Sequence, residues 1–191
     1  MADCSDLITS GIALDCDSIN AAVGVDKDLI LVNYEDFDAA ATKDASNREA
    51  DDTNNNLDGL TAIELKTGAV QYIFEGTDYS VVPSVTAEVK EDGNTWFLHS
   101  IAFTVYSKLA KDRKVLETLA YGRVIAIAID RSTGLYELFG LDQGLKLNGV
   151  ERAYTGSQNS NFYTVTLATP DVAVIRESNI GELAVSINTA P

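Results

Sequence analysis

The stretch VIAIAID, residues 124–130, puts apolar side chains on both faces of a single strand. Ile125, Ile127 and Ile129 point one way, and Val124, Ala126 and Ala128 the other. A strand with one wet face alternates apolar and polar residues, so this one must be covered on both sides. Two covers mean layers, which narrows the fold to sheets packed on sheets or on helices. The bulky Ile face suits a core between sheets. The smaller Val/Ala face admits the close approach of a helix, and the preceding segment supplies one. In KDRKVLETLAYG (111–122), Val115, Leu116, Leu119 and Ala120 recur at helical spacing. Asp112 stands where an N-cap belongs and Gly122 where the helix should stop.

The rest of the chain from Leu60 onward has the period of strands. DRSTG (130–134) turns the chain so that LYELFG (135–140) returns antiparallel. Thr61–Leu65 and Ala69–Glu75 flank KTG and read as a hairpin. PSVTAEVKEDGNTWFLHSIAFTVYS (83–107) repeats that plan around EDGN. In its second strand Phe97, Ile101, Phe103 and Val105 share one face, with Trp96, Ser100 and Thr104 on the other. The closely spaced glycines of LDQGLKLNG (141–149) suggest a kinked or bulged strand. NFYTVTLAT (161–169) and ELAVSI (182–187) complete the set. Eight to ten short antiparallel strands and one helix predict a mainly β fold. Its form is two packed antiparallel sheets, a sandwich or rolled barrel, with one flanking helix and a long polar arm. Residues 1–27 form an irregular leader, and 28–191 a single β-rich domain that opens with the strand DLILVN (28–33). The arm is the polar loop at 34–59, YEDFDAAATKDASNREADDTNNNLDG, with few residues suited to a core. A loop this long is uncommon in a compact domain unless it is functional or disordered.

Charge excludes one class of partner. The chain has 14 Lys and Arg against 29 Asp and Glu, a formal net charge of −15. Binding nucleic acid through phosphates needs the opposite balance. Such a chain stays soluble, and it repels other polyanions. Near the N-terminus, Asp3 and Asp6 stand where a secretory signal carries cations, so we expect no signal peptide. No window is apolar enough for a membrane span, so no membrane partner is expected and folding in a cytosol is. In a reducing compartment Cys4 and Cys16 are expected as thiols rather than as a disulfide.

Motifs for chemistry are sparse. The single histidine, His99, is in step with Phe97 and Ile101, which predicts a structural place in or beside the core. DDTNNNLDG (51–59) resembles a calcium loop in its alternating oxygen ligands. With Asp52 as the first position, however, Leu57 replaces the required Gly and Ile63 the bidentate Glu. GLDQGLKLNG (140–149) lacks the spacing and the Lys-Ser/Thr ending of a phosphate loop. Two Cys and one His are too few for zinc. We therefore expect no cofactor, no metal and no catalytic residue. A carboxylate pair for glycoside hydrolysis stays open, since sandwiched strands could bring two acids together.

Several segments carry a resemblance. CSDLITSGIALDC (4–16), followed by LILVNYEDFD (29–38), resembles the start of virion proteins from phages infecting the Bacteroidetes, crAss-like phages among them. LETLAYGRVIAIAID (116–130) and GLYELFGLDQGLKL (134–147) are similar to theirs in the order of helix, strand, turn and strand. The resemblance covers most of the chain and is weakest in the Asn-rich arm. It implies a structural protein of the virion tail or neck, foremost a tail-tube subunit, assembled in the host cytoplasm. Such a subunit would form a homo-oligomeric ring, a hexamer being one closure, stacked around a channel that DNA passes without specific binding. Other tail or neck proteins would be its further partners. It also implies that the arm reaches a neighbouring subunit, through Glu35, Asp36, Asp44, Arg48, Asp51, Asp52 and Asn55. The alternatives are a neck or connector ring, a capsid decoration protein or, from another class, a carbohydrate-binding β-sandwich module or hydrolase.

Overall fold

The strand that is apolar on both faces lies inside its sheet. β6 (Val124–Asp130) pairs with β1 (Val25–Asn33) on one side and β7 (Tyr136–Phe139) on the other, both antiparallel. This computed structural model describes residues 24–50, 58–89, 95–106, 109–152, 162–170 and 177–189. The other strands are β2 (Leu60–Leu65), β3 (Tyr72–Glu75), β4 (Val81–Val89), β5 (Thr95–Val105), β8 (Lys146–Glu151), β9 (Tyr163–Ala168) and β10 (Glu182–Thr189). One sheet has six strands in the order β2-β10-β7-β6-β1-β3, and the second has four, β4-β5-β9-β8. Two helices accompany them, the single turn α1 (Ala39–Thr42) and the longer α2 (Ala110–Leu119). The chain is therefore mainly β in two sheets with one substantial helix, as the periodicity predicts.

Of the two expectations for the faces of β6, the helix on the small-residue face holds and the Ile face between the sheets does not. Val124, Ala126 and Ala128 look into the main core, with Leu29 and Leu31 of β1, Ile101 and Phe103 of β5, and Val165 and Leu167 of β9. Opposite these bulky residues, small side chains let the sheets approach to native density. Leu116 and Leu119 of α2 close the same core, so the helix does pack on the small-residue face. Ile125 and Ile127 fill a second core on the other face, with Ile30, Val32, Phe37, Ile63 and Leu138.

Three local expectations are corrected. KTG does not make a hairpin, because β2 and β3 stand at opposite ends of the six-stranded sheet. β10 enters between β2 and β7 and pairs parallel with β2, so the sheet is not wholly antiparallel. Parallel neighbours need a long crossover, and here residues 66–181 separate the two strands. α2 begins two residues earlier than Asp112, with Leu109 at the N-cap, so Asp112 sits in the first turn. There its charge still complements the helix dipole.

Gly140 and Gly144 mark a turn rather than a kinked strand, whereas at Gly149 the register of β8 against β9 shifts, the irregularity expected of this stretch. Gly140 and Gly144 have φ of +85° and +75°, and Leu145 bridges to Val124 before β8 starts in the other sheet. A Cβ on Gly144 would stand 2.9 Å from Cδ2 of Tyr34, so the turn needs glycine for space as well as for backbone angle.

The polar loop is tied down along its described part, residues 34–50 and 58–59. It runs beside the open edge of β2, with antiparallel bridges from Phe37 to Leu65 and from Arg48 to Leu60. Between them the side chains stand in for a strand. Asn47 accepts from the Ala62 N–H (3.1 Å) and donates to the Ala62 carbonyl (2.7 Å), while Thr42 Oγ1 accepts from Glu64 N–H (3.0 Å). Phe37 and Thr42 are the few described residues of this segment that are buried. Open edges invite pairing with other chains, and this cover removes one of them. Asn47→Ala should cost about 2 kcal/mol, since it orphans both Ala62 groups. Urea unfolding measures this, and a loss within error of zero would show that the cover contributes nothing to stability.

Candidate functional site

Two constellations stand out, one sealed and one exposed. The sealed one surrounds the GLDQGL turn. His99 on β5 is fully buried, accepts from Gly140 N–H at Nδ1 (3.2 Å) and contacts the Asn179 carbonyl through Nε2 (2.7 Å). A backbone N–H can only donate, so Nδ1 is bare and the proton resides on Nε2, which donates to Asn179. Burial lowers the pKa of the ring, opposed by the Asn179 bond and by Asp142. His99 is thus held as a neutral strut, in the core position its spacing predicts.

Glu177 is the other buried group, and its two carboxylate oxygens accept from Asp142 N–H (2.9 Å) and Gln143 N–H (3.1 Å). Burial is the leading influence and pushes its pKa from 4.5 to about 7, against those two donors; Asp142 adds to the rise and Lys43 opposes it. Asp142 goes the other way. Burial raises its pKa, but hydrogen bonds from Lys43 and Ser178 outweigh this and hold it below the ordinary value. Together these groups bind the 177–179 segment and the arm's Lys43 to one turn. The cluster's hydrogen bonds are those of a clamp.

The arm residues named from the sequence do not converge on one site. Glu35 accepts from Lys66 Nζ through its carbonyl, and Asp36 accepts from Asn33. Asp44 caps the turn Ala45–Asn47, where hydrogen bonds from Ser46 lower its pKa. Arg48 grips both carboxylate oxygens of Glu182 at 2.9 and 3.0 Å, a link within the subunit. Asp51, Asp52 and Asn55 lie outside the described residues, as do Cys4, Cys16 and most of the calcium-like loop. Among the described residues no group of three His, Cys, Asp or Glu could hold a metal ion.

The exposed constellation was not identified from the sequence. Among the described residues β3 ends the six-stranded sheet and pairs only with β1, with Leu29 opposite Phe74 and Leu31 opposite Tyr72. Its inward face enters the core through Phe74, whose ring meets Phe103 edge-on at 5.3 Å. Tyr72 is 47% exposed and Ile73 61%. Alongside runs a groove between β3 and α2, lined on the helix side by Val115, Leu119 and Tyr121. Val115 is 47% exposed and Tyr121 89%. A contiguous apolar patch beside an open strand edge can pair a backbone and bury side chains at once. One sequence signal did exist. In AVQYIFE (69–75) the polar face of Gln71 and Glu75 is interrupted by Ile73, an apolar residue on the wet side.

Comparison with protein-family models, curated proteins and solved structures gave no match.

Proposed function

We propose that the chain is a structural subunit of a phage virion, foremost a tail-tube subunit that closes into rings stacked around a DNA channel. The observation that carries this reading is the edge of β3, apolar beside the α2 groove and left open among the described residues. Soluble monomers blunt such edges with charge, proline or a covering segment, as β2 is covered here. An edge left open with Tyr72 and Ile73 on it is suited to a neighbour's strand. A contact between two different surfaces generates a ring when its rotation closes. The net charge of −15 suits a channel that a polyanion must pass without sticking. Assembly in the host cytoplasm, incorporation in the tail and contact with other tail or neck proteins belong to the same reading.

Negative-stain electron microscopy with light scattering tests it. Rings or stacked tubes with an open channel are the expected result, and Ile73→Lys should abolish them while leaving a folded chain. A chain monomeric at every concentration, with saturable binding to one member of a glycan panel, would overturn the proposal in favour of a carbohydrate-binding module.

A further inference from the structure

We propose that Lys43 and Asp142 join covalently, Nζ of Lys43 forming an amide with the side-chain carboxyl of Asp142, and that Glu177 carries the protons of that step. The folded chain thus modifies itself, and the bond stands apart from the assembly reading.

Three observations converge on this site. The first is contact between anchored groups. Lys43 Nζ donates to Asp142 Oδ1 across 99 positions of sequence. The amine comes from the arm just after α1, where Lys43 N–H donates to the Ala39 carbonyl at 3.1 Å. Its neighbour Thr42 is buried and bonded to β2. The carboxyl comes from the GLDQGL turn, and its side chain is 10% exposed. Two fixed backbones present the pair to each other, unlike an ordinary surface salt bridge between free side chains. Groups held in reacting geometry gain effective molarities of roughly 10⁵–10⁸ M, the advantage that lets an amide form where free ions would not condense.

The second is the setting of the carboxyl. Asp142 Oδ2 accepts from both the N–H and the Oγ–H of Ser178, each at 2.7 Å. Two donors on one oxygen draw charge from the carboxyl carbon and oppose the negative charge that grows when an amine adds to it. The Asp142 backbone is pinned as well, its N–H donating to Glu177 at 2.9 Å and its carbonyl accepting from the Tyr34 hydroxyl at 2.6 Å. Every polar atom of Asp142 is therefore already in place.

The third is a proton carrier. The salt bridge itself is unreactive, since the attacking nitrogen must first shed a proton. Burial opposes the charge on Asp142, but hydrogen bonds from Lys43 and Ser178 hold it ionised, so a third group must move the protons. Glu177 is fully buried, bonded to the N–H of Asp142 and close enough to feel the charges of both Asp142 and Lys43. With its pKa raised by burial to about 7, it can take and return a proton at neutral pH.

The atoms balance without a co-reactant. Glu177 takes a proton from the Lys43 ammonium, the neutral amine attacks Cγ of Asp142, and the C–N bond forms. The C–Oδ1 bond then breaks and Oδ1 leaves as water. Two of the three ammonium protons depart with it by way of Glu177, and the third stays on the amide nitrogen. Glu177 ends as it began. The product bolts the arm that covers β2 to the turn that leads from one sheet to the other.

Intact-mass and peptide mass spectrometry of the purified, folded chain tests this. The native chain should weigh less than its sequence by one water, and digestion should yield a branched peptide joining the segments of Lys43 and Asp142. This measurement needs no variant, so a misfolded one cannot obscure it. Lys43→Arg should keep the full mass. Glu177→Gln should lose water about a hundredfold more slowly, within the range of general acid–base catalysis. A native chain that holds its full mass through days at neutral pH would overturn the proposal. So would a lost water that persists in Lys43→Arg, since it then belongs to a cyclised aspartyl residue. A Glu177→Gln chain reacting as fast as the native one would overturn the assignment of the proton carrier.

Discussion

Glu177→Gln should remove the largest fall in stability with rising pH between pH 4.5 and 8. In the native chain, Glu177 has a folded pKa raised from 4.5 to about 7. Its stabilising contribution is complete below 4.5 and is lost as the pH rises through 7, because the unfolded chain releases the proton more readily. At 1.36 kcal/mol per pKa unit this amounts to about 3 kcal/mol. His99 acts in the opposite sense. Its folded pKa is depressed below 6.5, so its neutral form is favoured and stability falls as the pH drops below 6.5. The native profile is the sum of these opposed slopes. Without the Glu177 carboxyl, His99 is opposed only by Glu137, whose pKa burial also raises from 4.5, so the fall in stability with rising pH should shrink through this window. Asp142, lowered from 3.8, titrates below it and does not interfere. Urea unfolding of both chains at half-unit pH steps gives the difference curve, in which repulsion common to both acidic chains cancels. Parallel curves would mean that Glu177 is ionised throughout, held so by its two backbone donors.

Phe103→Ala should destabilise the chain by about 3–5 kcal/mol, the range for emptying a large aromatic site that cannot collapse. Phe103 is 2% exposed, is paired in register with Val81 of β4 and Val165 of β9, and meets Phe74 of β3 through its ring edge. It therefore joins the second sheet to the strand that bears the proposed assembly edge. Beyond the loss of stability, amide exchange in β3 should speed up more than in β10, which lies on the far side of the six-stranded sheet. Urea unfolding and exchange together check this. A loss below about 1 kcal/mol would place Phe103 at a site able to collapse, contrary to its packing.

These two residues show what was legible in advance. Phe103 was placed correctly from its alternation with Ile101 and Val105, because a period of two reports which face of a strand is buried. His99 was placed by the same argument. Glu177 carried no such signal. It lies in RESNIG (176–181), which reads as punctuation, and its burial follows from docking against a turn more than thirty residues earlier. Ile73 was legible in principle as an apolar residue on a polar face, but only its place on an end strand makes it a surface feature.

The arm shows the same division. Its polarity is plain in the sequence, and Asp44 and Asn47 are residue types that cap turns. That Asp44 caps a turn lying along the edge of β2, and that Asn47 pairs there with Ala62 instead, depends on β2 being an end strand. Arg48 finds Glu182 only because the last strand enters beside β2. The sequence by itself determined the strands, the helix and the need for two covering layers, since these follow from local periods of 2 and 3.6 along the chain. Only the tertiary structure decided which strands became neighbours, which edge was covered and which left open, and where Glu177 was buried. Those outcomes depend on contacts between residues far apart in the chain, and no local period records them.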